Sequence, residues 1–375
     1  MKIAIMTQPL GKNYGGIMQA WALQQVLKRM GHEPVTIDRQ PDAPGAAYKL
    51  ARLGYRTALR ITGKRKTPIH FERHLPYILK NTQEFIKRRM VMSEPLDSTS
   101  RLKQHFEYSN YDVTIVGSDQ TWRPLYSPNI MNFFLDFLPS TRVKKIAYAA
   151  SFGVDDWEYT KVQTIKCRQL ISSFDATSVR EISGVSLCQN HLGITPDFVL
   201  DPTLLLNAQD YLNSLGSEGL TSRPDRLFSY ILDASPEKIK IINEVSKTLK
   251  LTPFSSQPAV SLDEETANID SYVVPPIERW INSFHHSDFV VTDSFHGCVF
   301  SIIFNKPFLA IGNKSRGMAR FKSLLETVGL ESRLITDASM AKDVINKNID
   351  WQDVSKRLNE RKAHSISFIK RAIAA

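Results

Sequence analysis

The stretch from Asp288 to Phe304 constrains the fold more than any other part of the chain. Phe289-Val290-Val291 is a short apolar run rich in β-branched residues, which is typical of a buried strand. Polar residues follow it at once, and after Gly297 apolar residues return at helical spacing. The stretch therefore predicts a buried strand, a tight turn and a helix, the repeating unit of a parallel α/β sheet.

The polar turn of this stretch is the first candidate site. Open α/β sheets bind ligands at the carboxyl ends of their strands, because the following helix offers free N–H groups and partial positive charge. His296 is a candidate acid or base, since an unperturbed imidazole titrates near neutral pH. Thr292, Asp293 and Ser294 lie beside it. The alternative is structural, with Ser294 capping the helix and His296 hydrogen-bonded to a neighbour.

The same strand–turn–helix unit recurs along the chain. Apolar runs predict strands at 2–6, 34–38, 111–116, 144–149, 175–179, 227–232, 251–254, 272–274, 289–291 and 306–312. Helical spacing of apolar residues predicts helices at 17–30, 46–61, 75–90, 159–172, 183–192, 236–249, 277–286, 318–328 and 351–374. The pattern predicts an α/β protein with two doubly wound, Rossmann-like domains that face each other across a cleft.

Length and composition divide this pattern between the two domains. A chain of 375 residues suits two domains, each with its own core. We predict an N-terminal domain at 1–206 with a basic helical insertion at about 41–108, and a C-terminal domain at 226–375 that ends in a helix. Between them, 207–225 is rich in Asn, Ser, Gly and Pro and predicts a linker.

Several functional classes are disfavoured by the sequence. No apolar run approaches the roughly 18 residues that span a bilayer, and the short apolar start predicts a strand rather than a signal peptide. Three cysteines without paired spacing argue against a disulfide framework or a zinc ribbon. We expect no bound metal, because no cluster has ligand spacing and the adjacent His285 and His286 cannot face one ion. These features predict a cytoplasmic protein.

The net charge of +10 is concentrated in the insertion. Residues 49–103 contain 14 Lys and Arg against four Asp and Glu, an excess of ten that equals the surplus of the whole chain. This block predicts peripheral, salt-sensitive contact with an anionic partner, such as the inner face of a membrane or a lipid-linked diphosphate. Nucleic acid is disfavoured, because no recognised binding motif accompanies the charge. The alternative is a solvated basic face.

A Gly-rich loop after the first strand is a second candidate site. It lacks both G-x-G-x-x-G and a Walker lysine, so a dinucleotide or P-loop site is disfavoured. Its glycines would let a ligand approach the backbone closely, or serve only to reverse the chain. The candidate residues of this loop and the helix after it are Asn13, Tyr14, Gly15, Gly16 and Gln19.

Other strand ends supply further polar residues. Arg180 offers a planar fork for a carboxylate or phosphate, or forms an internal ion pair with Glu181 or Asp201. Asp119 is a candidate base or a turn residue. Trp122, like Tyr14, suits stacking on a sugar face or packing in the core.

Taken in order, these segments resemble the polysaccharide pyruvyl transferase family. The resemblance rests on the series Asn13-Tyr14-Gly15-Gly16-x-x-Gln19, Val116-Gly117-Ser118-Asp119-Gln120-x-Trp122, Ala149-x-Ser151-Phe152-Gly153, Ser178-x-Arg180-Glu181, Asp197-x-x-x-Asp201-Pro202 and Thr292-Asp293-Ser294-Phe295-His296-Gly297. It implies a fold like the two-domain GT-B glycosyltransferases. It also implies transfer of the enolpyruvyl group of phosphoenolpyruvate to sugar hydroxyls as a ketal in surface-polysaccharide biosynthesis, with no metal or cofactor.

The resemblance also suggests roles for the candidate residues. His296 is the expected acid or base, with Asp293 or Asp119 as its carboxylate partner. Many members carry an arginine where this chain has Ser294, so the donor's charge must be met elsewhere. The expected donor-binding residues are Arg180, Ser294, His296, Lys314, Arg316 and Arg320. The sugar, free or lipid-linked, is expected at Asn13, Tyr14, Gly15, Gly16, Gln19, Ser118, Gln120, Trp122 and Ser151.

Two other functions fit the same residues. One is a sugar-nucleotide-dependent glycosyltransferase of the same two-domain form, in which the donor is not phosphoenolpyruvate. The other is a non-catalytic protein that binds a glycan or lipid.

Overall fold

Two parallel sheets organise the protein, whose computed structural model describes residues 1–139, 143–215, 226–262, 264–312 and 317–374. The first sheet has the strand order β2-β1-β3-β4-β5-β6. Met6 pairs in register with Ile37 and Val116, so the first three strands end at one edge. The strands are β1 Lys2–Met6, β2 Glu33–Ile37, β3 Val113–Val116, β4 Lys144–Ala150, β5 Ala176–Val179 and β6 Asp197–Phe198.

The second sheet repeats the topology of the first. Its order is β11-β10-β9-β7-β8, again with every described pair parallel. In each sheet the first two strands lie side by side and the chain then crosses to the other side of the first. The switch points, where ligands bind in such folds, fall between β1 and β3 and between β7 and β9. The strands are β7 Arg226–Tyr230, β8 Thr252–Phe254, β9 Phe289–Thr292, β10 Phe308–Ile311 and β11 Leu334–Ile335.

Helices connect the strands of both sheets. Those before the second sheet are α1 Tyr14–Arg29, α2 Ala46–Ile61, α3 Leu75–Ile78, α4 Lys80–Arg89, α5 Thr99–Ser109, α6 Lys161–Ile171, α7 Ile182–Leu187 and α8 Ala208–Leu215. Those after β7 are α9 Pro236–Leu249, α10 Ile277–His285, α11 Phe295–Ile303, α12 Ala319–Val328, α13 Ala341–Ile345 and α14 Trp351–Ala374. None of the helices in the described ranges is both long and apolar enough to cross a bilayer. The α/β, two-sheet fold predicted from the sequence is confirmed.

The segment between the domains differs from the predicted linker. Of 207–225, the part 208–215 is helix α8, and 216–225 lies outside the described residues. Tyr211 on α8 is fully buried, with its ring 5.5 Å from that of Trp21 and 5.1 Å from that of Phe300. The helix therefore packs between the two domains, because its tyrosine finds apolar partners on both.

The C-terminal helix α14 packs back onto the first sheet. Leu200 N–H donates to Ser365 Oγ at 2.9 Å, and Lys144 Nζ donates to the Ile373 carbonyl at 2.9 Å. The ring of Phe368 lies 6.1 Å from that of Tyr148 on β4. The last helix of the chain thus fastens the second domain to the first.

Two local predictions are wrong for reasons of tertiary packing. The strand predicted at 272–274 is instead the end of a 3₁₀ helix, Ile269–Tyr272, after which Val274 N–H donates to the Ile78 carbonyl at 2.9 Å. That backbone group is satisfied by the insertion and not by a sheet. Helix α1 begins at Tyr14 and not at Ile17, so Gly15 and Gly16 lie in its buried first turn.

Candidate active site

The strand ends of the first domain meet in a buried ion cluster around Arg180. Its Nη1 lies 2.6 Å from Oδ2 of Asp201, and its Nη2 lies 3.0 Å from Oδ1 of Asp119. Nη1 also donates to Ser118 Oγ at 3.3 Å. Of the alternatives for Arg180, the structure shows the internal ion pair, with Asp201 and Asp119 as partners. Both ends of its fork are therefore occupied.

The two carboxylates of this cluster are held in the charged form. Burial alone would raise the pKa of the Asp201 carboxyl, but Arg180, His296 and hydrogen bonds from Thr203 hold that pKa below its ordinary value. The pKa of Asp119 is likewise lowered against the effect of burial, chiefly by Arg180 and His296. The cluster is therefore a charged unit at neutral pH.

Gln19 of α1 fixes the turn that carries Ser118. Its Nε2 donates to Thr7 Oγ1 and to the Gly16 carbonyl, both at 2.8 Å, and its Oε1 accepts from Ser118 N–H at 3.0 Å. Ser118 Oγ in turn donates to Asp201 Oδ2 at 3.0 Å. Gln19 and Ser118 thus position the charged unit, which differs from the acceptor-binding role expected of them.

His296 reaches this cluster from the second domain. It lies in the first turn of α11, where Ser294 is the N-cap and its Oγ accepts from Gly297 N–H at 3.3 Å. The imidazole Nε2 lies 3.8 Å from Oδ2 of Asp201. Burial lowers the pKa of His296 to about 4; Asp201 opposes that shift and Arg180 adds to it. The imidazole is therefore neutral at pH 7 and can accept a proton.

Gly15 makes room for His296. A Cβ at Gly15 would lie 2.1 Å from Nδ1 of the imidazole, closer than any real contact. Gly15 is thus required for close approach between the first turns of α1 and α11. Gly16, its neighbour, would place a Cβ 3.2 Å from Asn13 Nδ2 and 3.3 Å from Asp119 Oδ2, which is tight but not prohibitive.

Arg320 adds a second cation from α12. Its guanidinium lies 5.7 Å from the centre of the Phe295 ring, and that of Arg180 lies 4.9 Å from the same centre. Burial and the nearby Arg180 charge lower the pKa of Arg320 to about 10, so Arg320 remains charged at neutral pH. Two arginines and one histidine therefore surround a single buried point between the domains.

Two acidic residues of the site were not assigned catalytic or binding roles from the sequence. Asp201 is the carboxylate nearest to His296, and Glu181 Oε1 accepts from the N–H groups of Phe152 and Gly153 at 2.7 and 3.2 Å. Burial raises the pKa of Glu181, although Arg180 and Arg320 oppose that effect. The available signal was their place directly after β5 and β6, where a parallel sheet gathers ligands.

Asp293 is not the partner of His296. Its Oδ1 accepts from Leu232 N–H at 2.6 Å, and its Oδ2 accepts from Asp233 N–H at 3.2 Å and from Lys238 Nζ at 2.6 Å. These contacts hold the loop between β7 and α9. The predicted catalytic role of Asp293 is therefore corrected to a structural one, because its carboxylate is turned toward that loop.

The two aromatic candidates lie in the core. Trp122 is fully buried, donates its indole N–H to the Phe133 carbonyl at 3.1 Å and stacks on Phe134. Tyr14 stacks on Trp280 at 5.3 Å and donates its hydroxyl to the Pro275 carbonyl at 2.7 Å. Neither ring offers a face to a sugar, so the core alternative holds for both.

The remaining predicted site residues lie at the edge of the cluster or outside the described ranges. Asn13 is exposed, and Gln120 is half-buried with Oε1 accepting from Arg123 Nη1 at 3.3 Å. Ser151 is buried, and its N–H donates to the Asp119 carbonyl at 3.1 Å. Lys314 and Arg316 lie outside the described residues. Within the described ranges, no group of His, Cys, Asp or Glu is arranged to hold a metal ion.

The cluster is closed to solvent. Arg180 is 3% exposed, while Asp119 and His296 are each 5% exposed. Atoms of both domains close it, through the Gly15–His296 contact on one side and the Tyr14–Trp280 contact on another. A ligand can reach the cluster only when these contacts separate.

Comparison with known families decides what kind of protein holds this cluster. A model of the family described as polysaccharide pyruvyl transferase matches residues 13–315. The chain belongs to the polysaccharide pyruvyl transferase family. This pyruvyl transferase family is a family of transferases, so the protein is an enzyme of that class. A search of curated proteins found no match.

Solved structures similar to this pyruvyl transferase share its two-domain fold. The UDP-GlcNAc 2-epimerase from Neisseria meningitidis, bound to UDP-GlcNAc, superposes with a TM-score of 0.56 at 9% identity, covering 100% of both chains. The spinosyn forosaminyltransferase SpnP gives 0.50 at 10% identity, and TarM from S. aureus in a complex that includes UDP gives 0.50 at 10%, each covering 100% of both chains. At such low identity these likenesses establish the GT-B-like fold alone.

Proposed function

We propose that the protein transfers the enolpyruvyl group of phosphoenolpyruvate to two hydroxyls of a sugar and forms a cyclic ketal. One observation carries the proposal. A neutral imidazole, two arginines and the carboxylates of Asp119 and Asp201 meet at one buried point between the domains, and most of these residues belong to the family's motif series.

The charge of the donor matches this point once the roles of the two arginines are separated. Phosphoenolpyruvate carries about three negative charges and needs several cations or N–H groups. Arg180 is already engaged by Asp119 and Asp201, so it positions those carboxylates. Arg320 and the N-termini of α11 and α12 are the groups we assign to the donor, because helix N-termini present free N–H groups. Ser294, as the N-cap of α11, leaves that terminus open to an anion.

The proton balance of ketal formation gives His296 its role. One sugar oxygen attacks C2 of the donor while C3 takes up a proton; the second sugar oxygen then replaces phosphate at C2. Two hydroxyl protons are lost, of which one ends on C3 and one on the phosphate released. His296, neutral at pH 7, accepts a hydroxyl proton, and Asp201 at 3.8 Å stabilises the imidazolium that forms.

Binding of the donor prepares the imidazole for this task. A trianion beside His296 favours the protonated ring and therefore raises its pKa from about 4 toward neutrality. A base whose pKa lies near the working pH is the most effective proton carrier. The donor thus acts first on the imidazole and then receives a proton from it.

The sugar is the substrate that reaches the cluster from the rim. Asn13 is exposed and Gln120 half-buried at the edge of the charged unit, so both are available to sugar hydroxyls. We assign the acceptor to this rim, either as a free sugar or as a lipid-linked one. The family description supports a saccharide acceptor in general.

The first experiment is thermal unfolding in the presence of phosphoenolpyruvate, UDP, GDP or phosphate. A ligand at 100 times its dissociation constant adds about 2.7 kcal/mol to the free energy of unfolding. We expect phosphoenolpyruvate to raise the Tm of the wild type and of His296→Gln, but not of Arg320→Met. Arg88→Met, which alters an exposed arginine on α4, is the matched control and should respond like the wild type.

Product analysis completes the test. Incubation with phosphoenolpyruvate and a panel of sugars should release phosphate and add a pyruvyl ketal to one of them, and His296→Gln should abolish both. If UDP or GDP stabilises the protein and phosphoenolpyruvate does not, the protein is a glycosyltransferase. If His296→Gln leaves the glycan chemistry of cells unchanged, the protein is a binding protein and the proposal fails.

A further inference from the structure

Helix α2 presents the wrong face to the protein for an ordinary surface helix. Its basic residues Lys49, Arg52, Arg56 and Arg60 recur at spacings of three and four and so form one row. Arg56 donates to both carboxylate oxygens of Glu72 at 2.7 Å, and Arg52 also pairs with Glu72. The polar face is therefore directed toward the rest of the insertion.

The opposite face of α2 is apolar and directed outward. Tyr48, Leu50, Tyr55 and Ile61 are 60%, 69%, 66% and 81% exposed. No residue of α2 is buried. A surface helix normally buries its apolar stripe, so an outward stripe of large side chains indicates a surface that is covered by something else.

The orientation of α2 is fixed by contacts at its C-terminal end. Lys66 N–H and Thr67 N–H donate to Glu265 Oε2 at 2.7 and 2.8 Å, which ties the end of the insertion to the second domain. Together with the Arg52 and Arg56 pairs to Glu72, these bonds prevent α2 from turning its apolar face inward.

Charge identifies the occupant of this face. Lys49, Lys64 and Lys66 are exposed on or just after α2, within a segment that carries an excess of ten positive charges. Two copies that met through α2 would bring two such segments together and repel each other. An anionic bilayer attracts them instead, and tyrosine side chains favour the interface between lipid and water.

We propose that α2 docks the protein on an anionic membrane by lying in its surface with the Tyr48–Ile61 face among the acyl chains. Charge alone, as read from the sequence, predicts contact that salt abolishes. The apolar face adds a part that salt does not screen. The docking does not depend on which donor the enzyme uses.

The docked helix would place the cleft near the lipid surface. The Ile78 carbonyl and Asn81 of the insertion hydrogen-bond Val274, and the next residue, Pro275, accepts the hydroxyl of Tyr14 beside the buried cluster. The insertion is therefore continuous with one wall of the cleft. This position suits an acceptor that is itself held in the membrane.

Co-sedimentation with lipid vesicles tests the docking. The probes are vesicles of phosphatidylcholine with and without phosphatidylglycerol, at salt concentrations of about 0.1 M and about 1 M. We expect the wild type to bind the anionic vesicles, with binding reduced but still measurable at high salt. Leu50→Ser/Tyr55→Ser/Ile61→Ser should lower the partition coefficient at least about tenfold at both salt concentrations.

A matched variant separates this face from apolar exposure in general. Val162 and Ile165 on α6 are 63% and 60% exposed, and Val162→Ser/Ile165→Ser should bind vesicles like the wild type. In Tyr55→Trp, tryptophan emission should shift to shorter wavelength on anionic vesicles, whereas in Ile165→Trp it should not. These exposed substitutions leave the core intact, so thermal unfolding should be unchanged.

Three outcomes would overturn the proposal. In one, the triple variant binds vesicles as well as the wild type, and the apolar face has no role. In another, high salt abolishes binding completely, and charge alone accounts for it. In the third, the wild type ignores vesicles but forms dimers that the triple variant does not, and the face is an interface between two copies.

Discussion

At the residue scale, Arg180, Asp119 and Asp201 form a buried unit whose charges depend on one another. Each ion has left water, which costs several kcal/mol, and only the mutual attraction offsets that cost. We predict that Arg180→Met lowers the free energy of unfolding by about 3–5 kcal/mol, because two carboxylates then remain buried without a partner. Denaturant unfolding followed by circular dichroism measures this loss.

Two variants make that result interpretable. Arg29→Met breaks a two-bond pair with Asp210 at a largely exposed arginine and should cost less than about 1 kcal/mol. Arg180→Met/Asp201→Asn removes one of the stranded charges and should recover part of the loss. If Arg180→Met is no worse than Arg29→Met, the buried unit does not stabilise the fold as described.

His296 gives the protein a specific dependence on pH. Its pKa is about 4 in the folded protein and about 6.5 when unfolded, so above pH 6.5 both states are neutral. As the pH falls from about 6.5 to about 4, only the unfolded state gains the proton. The free energy of unfolding should therefore fall across that window, by at most about 3 kcal/mol.

The His296→Gln variant isolates this contribution. We expect the difference in unfolding free energy between the variant and the wild type to change between pH 6.5 and pH 4 and to be constant above pH 6.5. The lowered pKa values of Asp119 and Asp201 act in a more acidic window, so they do not mask it. A difference that is independent of pH would mean that His296 is protonated in the folded protein.

At the element scale, the first turns of α1 and α11 face each other so closely that only glycine fits at position 15. We predict that Gly15→Ala folds normally, because alanine favours the helix by about 0.5–1 kcal/mol, yet loses most of its turnover. The added Cβ would lie 2.1 Å from Nδ1 of His296 and must displace the imidazole from Asp201. Thermal unfolding and product analysis of the same preparation measure both effects.

Gly16→Ala is the control for that variant. It adds the same methyl group one residue later in the same turn, where the nearest atoms are 3.2–3.3 Å away and belong partly to the exposed Asn13 side chain. We expect it to retain far more turnover than Gly15→Ala. Equal loss in both would indicate that helicity of this turn, and not the position of His296, is what matters.

Elements and their order could be predicted from the sequence because local pattern determines them. The strand at 289–292 and the N-cap at Ser294 follow from an apolar run and the small polar residue after it. The side-chain partners could not be predicted in the same way. Asp293 turns to Lys238 on α9, a contact that depends on how the β7–α9 loop returns to β9. Trp122 was compatible with a sugar face or the core, and only the packing of Phe134 decides between them.

At the scale of the whole molecule, the two domains share one continuous apolar core. Tyr14, Trp21 and Tyr148 from the first domain belong to the same buried cluster as Trp280 and Phe300 from the second. Helix α14 adds to this union by packing on β4. Separate Rossmann-like domains would each have a closed core, so this continuity was not visible in the repeated strand–helix pattern.

This shared core should make the protein unfold as one unit despite its two sheets. We predict a single calorimetric transition for the wild type. Tyr14→Ser should lower its temperature and broaden or split it, because the change removes the ring that stacks on Trp280 at 5.3 Å and the hydrogen bond to Pro275. Loss of a buried aromatic side chain costs about 3–5 kcal/mol, here charged to the contact between the domains.

A control from the surface and a ligand make that prediction sharp. Tyr108 is 75% exposed, and Tyr108→Ser should leave the transition unchanged. If phosphoenolpyruvate binds between the domains, it should restore a single, sharper transition to Tyr14→Ser, because a ligand that contacts both domains replaces the lost coupling. Two transitions in the wild type would show that the domains fold independently and that the buried cluster is assembled after folding.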